Sequence, residues 1–178
     1  VAIAEFRNLP CDGAFHGALA DALRERRSMV VATHTTTRAL LLRNRDADAY
    51  IESSLSRETR KNLRRKEKRL AERGKVEHVA LRPGDDAVRW IEDFLRLEAS
   101  GWKGQIGGAL ACSPRNRRFA LEALTAAFER GRLQMVGLDV DGRPVSRCCN
   151  VLAGEGSFAY RAAYDESYAY YSPGVIAE

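Results

Sequence analysis

GRLQMVGLDVDGRPVSRCCNVLAGEGSFAYRAAY, residues 131–164, decides the fold. Leu133 to Val140 alternates with the period of two that a strand requires. Asp141-Gly142 is a strong two-residue hairpin signal. Arg143 to Leu152 then returns as a second strand. Gly154-Glu155-Gly156 turns the chain again, and Ser157 to Tyr164 reads as a third strand. On the far side, ESYAYYSPG (166–174) reads as a loop, with a helix beginning at Val175.

The preceding stretch changes period. Ser113-Pro114 offers a cap and a first helical position, Phe119, Leu124 and Phe128 line the core side of that helix, and Gly131 ends it. Gly101 to Cys112, GWKGQIGGALAC, reads as a glycine-rich loop. It follows no strand and lacks G-x-G-x-x-G, so it is a poor Rossmann nucleotide loop. Val88, Ile91, Phe94, Leu95 and Glu98 run at helical spacing after the turn Arg82-Pro83-Gly84-Asp85, and Val76 to Leu81 reads as a strand. The expected fold class is α+β, an antiparallel sheet flanked by helices. Nearer the front, Ala2–Phe6 and Met29–Thr37 read as strands, with Ala39–Arg43 as partner to the latter. Phe15, Leu19 and Leu23 mark a helix, and Asp46–Ser53 a short one opening on Asp.

The chain has 178 residues, 45% apolar and 30% charged, which is globular rather than disordered. No apolar run reaches the length of a membrane span, and no basic-then-apolar leader opens the sequence. It begins at Val1 and stops shortly after a Pro-Gly, so it reads as a segment cut at both ends. Cys11 and Cys112 stand alone and Cys148-Cys149 are adjacent, which suits reduced thiols in a cytoplasmic protein. His16, His34 and His78 are scattered, so no metal site is expected.

The net charge of +5 is concentrated. Residues 56–75, SRETRKNLRRKEKRLAERGK, hold ten Lys or Arg against three Glu, whereas the rest has 19 basic and 21 acidic residues. The segment reads as a helix capped by Ser56 and stopped by Gly74, with Leu55, Leu63 and Leu70 as a thin apolar stripe. Arg57/Lys61, Arg60/Arg64, Lys61/Arg65, Arg64/Lys68, Arg65/Arg69 and Arg69/Arg73 are like-charge pairs at i,i+4. Each costs about 0.2–0.5 kcal/mol at low salt, so a negative partner is expected alongside. Three candidates stand: the chain's own Asp85, Asp86, Glu92 and Asp93; a phosphate-bearing small ligand; and RNA or another anionic polymer held through Arg57, Arg60, Lys61, Arg64, Arg65 and Lys68. No aromatic interrupts the run, so base stacking on it is not expected.

Four stretches carry a family resemblance: LSRETRKNLRRKEKRL (55–70), GWKG (101–104), GRLQMVGLDVDGRPVSR (131–147) and above all FAYRAAYDESYAYYSPG (158–174). Together they resemble the GNAT acyltransferase superfamily, and more narrowly its CelD-like and FemAB-like branch. The resemblance implies a tail of a first GNAT-like domain over 1–54, a basic connecting helix over 55–75 and the front of a second domain over 76–178. It implies an acyl-CoA donor such as acetyl-CoA and a small-molecule or saccharide acceptor, in polysaccharide or cell-envelope biosynthesis. It places the donor at Tyr164, Tyr171, Ser172, Pro173, Gly174 and Val175, with the pantetheine arm along Tyr160 to Tyr164. Acyl transfer to an amine needs a base, and Asp165 is the candidate beside an equally good role as a turn cap. Tyr164, Tyr168, Tyr170 and Tyr171 are candidates for an acceptor groove or for plain packing, and Trp102-Lys103 for acceptor contact or a helix plug. Two alternatives stay open: a FemAB-like transferase using aminoacyl-tRNA, and a non-catalytic module binding an anionic partner through the basic helix.

Overall fold

The computed structural model describes residues 4–6, 9–37, 46–153 and 156–178. Contacts divide the chain into two units, Val1–Leu42 and Arg43–Glu178. In the first, the described residues form one helix, α1 (Ala14–Glu25). None of the described residues of this unit is buried. The strand expected over Met29–Thr37 is not formed, and Met29, Val30 and Val31 are exposed. β-Branched residues favour a strand through packing on cross-strand neighbours, and the described residues of this unit supply none. Of Ala2–Phe6, residues 4–6 are not strand; the remainder, and Ala39–Arg43, lie outside the described residues.

The second unit opens with α2 (Ala47–Ser54), whose cap Asp46 accepts from the N–H of Asp48 and Ala49. The basic helix follows as α3 (Arg57–Ala71), with Ser56 Oγ accepting from Thr59 N at 3.1 Å. Four strands, β1 (Val76–Ala80), β2 (Leu133–Val140), β3 (Arg143–Ala153) and β4 (Gly156–Tyr164), lie in sequence order and pair antiparallel throughout. The expected hairpin sits between β2 and β3: Asp141 (φ 50°) and Gly142 (φ 72°) both take positive φ, as this turn demands. Between β1 and β2 run α4 (Ala87–Ser100), α5 (Trp102–Gln105), a 3₁₀ turn (Leu110–Cys112) and α6 (Pro114–Glu129). The stretch read as a glycine-rich loop is therefore largely two short helical pieces. After β4 come a 3₁₀ helix (Glu166–Tyr171), where a loop was expected, and α7 (Pro173–Ala177). Helix α7 starts two residues before Val175 because proline suits the first helical position.

The sheet is covered on both faces. Helices α4 and α6 bury Ile91, Phe94, Leu95, Leu97, Ala120 and Leu124 against Leu133, Met135, Cys149 and Ala163. On the other face Leu70 of α3 meets Leu138, Val140 and Val145, with Tyr168, Tyr171 and Ile176 packed around them. Phe119 departs from its expected core role: it is exposed on the outer side of α6. Gly137 interrupts the apolar run of β2 because Arg147 lies over it: a Cβ there would stand 2.2 Å from the Ser146 carbonyl and 2.8 Å from Arg147 Nη1.

Of the three candidate partners for α3, the acidic group Asp85, Asp86, Glu92 and Asp93 makes no ion pair with it. Asp85 accepts from Arg82 N and Asp86 from Arg89 N, both turn and cap bonds. Glu92 pairs with Arg117, and Asp93 with Arg96 and Arg147. Among the described residues α3 has two ion pairs, Arg60 with Glu52 and Glu67 with His78. All four cysteines are free; Cys148 and Cys149 are buried, Cys11 and Cys112 exposed.

Candidate functional site

Strand β4 is the edge of the sheet, and its ladder to β3 is irregular. Cys149 pairs with Arg161 and Asn150 with Ala159, which leaves Tyr160 as an extra residue in a β-bulge. Beyond the bulge, Asp165 N donates to the Val145 carbonyl at 2.9 Å. Alternation then turns the backbone groups of Arg161 and Ala163 to β3 and those of Ala162 and Tyr164 to the open side. Lys103 Nζ donates to the Ala162 carbonyl there at 3.1 Å.

Against this edge stands a carboxylate that the sequence presents only as one more position at helical spacing. Glu98, in the last turns of α4, has a fully buried side chain. It accepts from Leu110 N at 2.8 Å and from Arg161 Nη1 at 2.5 Å, with Lys103 Nζ at 3.8 Å. The hydrogen bond to Glu98 holds the Arg161 guanidinium above its ordinary pKa. Glu166 reaches back from beyond β4 to accept from Trp102 N at 2.5 Å. Glu98, Trp102, Lys103, Ala162, Tyr164 and Glu166 line a cleft of about 30 Å³, room for roughly one water. A larger hollow of about 430 Å³ is lined by Pro114, Arg115, Arg118, Phe119 and Glu122, an open face of α6 rather than a cleft.

The residues expected at the site cluster at the end of β4. Asp165 caps the 3₁₀ helix: its Oδ1 accepts from Ser167 N at 2.9 Å and from Ser167 Oγ at 2.7 Å. Its Oδ2 has no partner among the described residues. Tyr164 is half-buried, with Cδ1 3.8 Å from the place a Cβ on Gly174 would take. Tyr168 and Tyr171 pack on the core, and Tyr170 stands exposed, edge-on to Tyr171 at 5.3 Å between centroids. Ser172 takes the left-handed conformation (φ 56°), Pro173 is buried, and Val175 is exposed. Gly174 sits in the first turn of α7 without a positive φ, so its role does not depend on left-handed backbone.

Two features that stand more than 100 residues apart in the sequence meet here. Lys66 Nζ donates to Ser172 Oγ at 2.7 Å, and Arg69 Nη1 donates to the Tyr170 hydroxyl. The basic helix and the Ser-Pro-Gly turn thus form one surface.

Among the described residues no helix is long and apolar enough to cross a membrane. No curated protein matches the chain significantly. A family model described as acetyltransferase (GNAT) domain matches residues 57–177, from the first residue of α3 to the end of α7. That match takes in the four-stranded sheet, both helical layers, the bulged edge and the turn beyond it, and it carries an acyltransferase-type function in general. The chain belongs to the GNAT acetyltransferase domain family.

Proposed function

We propose that the chain is an acyl-CoA-dependent N- or O-acyltransferase, serving polysaccharide or cell-envelope biosynthesis in the cytoplasm. One observation carries this reading: the open, bulged edge of β4 runs directly into the Asp165–Ser172 turn and α7. The donor set suits the ligand. An edge strand offers N–H and C=O groups to an extended amide-bearing arm. Ser172 Oγ, the Gly174 N–H and the cations of α3 lie where phosphate would follow. An acyl-CoA, when bound, supplies an activated thioester.

The chain's residues do the rest. Ala162 and Tyr164, with outward backbone groups, align the arm, and a backbone N–H on this edge polarises the reacting carbonyl. Lys103 must release the Ala162 carbonyl as the arm takes its place. Asp165, steered by Ser167 through Oδ1, accepts the acceptor's proton at Oδ2. Tyr164, half-buried beside the cleft, borders the acceptor.

Calorimetric titration with acetyl-CoA tests the donor, and absence of binding ends the reading. Asp165→Asn should lower kcat by about a hundredfold or more and leave donor affinity unchanged. A second reading draws on the exposed cations Arg57, Lys61, Arg64 and Lys68, which have no ion partner among the described residues. It has the helix hold aminoacyl-tRNA or another polyanion. Binding that collapses steeply with salt favours it, because a polymer surface releases counterions along its length.

A further inference from the structure

The turn before α7 offers little of its own to an anion. Pro173 has no N–H, and the amides of Val175 and Ile176 already bond to the Ser172 carbonyl at 3.0 and 3.2 Å. Only the Gly174 N–H remains without a partner among the described residues. One neutral donor does not balance the two negative charges of a diphosphate.

Charge arrives from α3 instead. Lys66 and Arg69 flank the buried anchor Leu70 on the side of the helix that is fixed against the sheet. Lys66 is half-buried and is held by the Ser172 hydroxyl; Arg69 is held by the Tyr170 hydroxyl and lies 5.9 Å from its ring centroid. Neither cation meets a carboxylate among the described residues. Hydroxyls orient a cation without neutralising it, and each keeps a proton to give. Two oriented, uncompensated cations, two hydroxyls and one amide converge on a single turn. A charge that would only coat a polymer lies elsewhere, on the outward line Arg57, Lys61, Arg64 and Lys68.

We infer that Lys66 and Arg69 are phosphate ligands of the acyl donor, holding its nucleotide end together with Ser172 Oγ and the Gly174 N–H. The inference rests on the acyl-CoA reading and adds to it a specific contribution from the basic helix: donor discrimination by phosphate.

The test is calorimetric titration of the protein with acetyl-CoA and with acetyl-pantetheine, which lacks the nucleotide and its phosphates. Lys66→Gln/Arg69→Gln should weaken acetyl-CoA by about ten- to a hundredfold and leave acetyl-pantetheine within twofold. Lys66→Arg/Arg69→Lys, which keeps both charges, should retain most of the acetyl-CoA affinity and shows that the site tolerates substitution. Arg73→Gln/Arg130→Gln removes the same charge from exposed positions outside the cluster and should change neither ligand by more than about twofold. Unchanged acetyl-CoA affinity in Lys66→Gln/Arg69→Gln overturns the inference and leaves the acyl-CoA reading standing. So does an equal loss in Arg73→Gln/Arg130→Gln, which would make the effect a general field. Loss of poly-uridylate binding alone, with acetyl-CoA affinity intact, overturns it in favour of a polymer surface. A wild-type protein that binds neither acetyl ligand removes the acyl-CoA reading itself.

Discussion

Helix α4 directs two carboxylates toward the sheet, and the ion clusters they join are built in opposite senses. At Asp93 the cation is inside: the Arg147 side chain is 4% exposed, pairs with Asp139 at 2.6 Å and Asp93 at 3.7 Å, and lies over Trp90 at 4.5 Å. At Glu98 the anion is inside, with Arg161 and Lys103 31% and 26% exposed around it. A buried cation cannot leave without stranding its partners. A buried anion whose cations sit at the rim leaves those cations free to answer a ligand. The first cluster is scaffold between β2, β3 and α4; the second adjoins the edge where the donor arm is proposed to lie.

The strongest way to break this comparison is Arg147→Leu. It should lower unfolding free energy by about 2–4 kcal/mol in a urea titration, since it strips half-buried Asp139 of its 2.6 Å partner, leaves Asp93 to Arg96 alone and removes the guanidinium packed over Trp90. A loss under about 1 kcal/mol would erase the distinction. Glu98→Gln should cost less, about 1–3 kcal/mol, because the amide still accepts from Leu110 N and both cations can relax into water. Equal losses at the two sites would mean that the rim cations are as confined as Arg147.

The shared sheet supplies the mildest test. Burial pushes the thiols of Cys148 and Cys149 up to about 12 from 9.0. The fold accommodates the neutral thiol, so its stability is intact below about pH 9 and falls as pH rises toward 12. By pH 10 the loss should be about 1.4 kcal/mol per thiol, read from unfolding curves against pH. In the same samples alkylation should mark Cys11 and Cys112 at neutral pH and spare Cys148 and Cys149 until unfolding.

Much of the second unit was legible because its signals are local. Ser56 and Ser113 each cap the helix they were read to open, Asp86 caps α4 one residue past the turn read over Arg82–Asp85, and Asp141-Gly142 takes the backbone its turn requires. What failed depended on partners. Met29–Thr37 has strand composition, but composition alone supplies no neighbouring strand. Phe119 fits an apolar stripe, yet the stripe of α6 that reaches the core runs through Ala120 and Leu124. Glu98 was noted only for its helical spacing. Its partners stand at Lys103, Leu110 and Arg161, and no periodicity joins positions so far apart. A carboxylate on the apolar face of a helix, with an arginine in a later strand, was the available signal. The meeting of Lys66 with Ser172 was likewise beyond local reading, since only the sheet between them brings it about.

The bulge at Tyr160 also bears on how this chain tolerates genetic change. Ala153 pairs with Gly156 at one end of β4 and Cys149 with Arg161 past the extra residue. Between these pairs lie three residues of β3, 150–152, and four of β4, 157–160. Substitutions over 156–160, which are exposed, should be absorbed. A one-residue deletion there would set three residues opposite three, so the ladder would run regular from Gly156 to Arg161; the bulge would go, and Arg161 would stay opposite Cys149 on the face of Glu98. Related chains should therefore vary in residue identity along this half-strand, and those one residue shorter there should lack the bulge while keeping the Arg161 register.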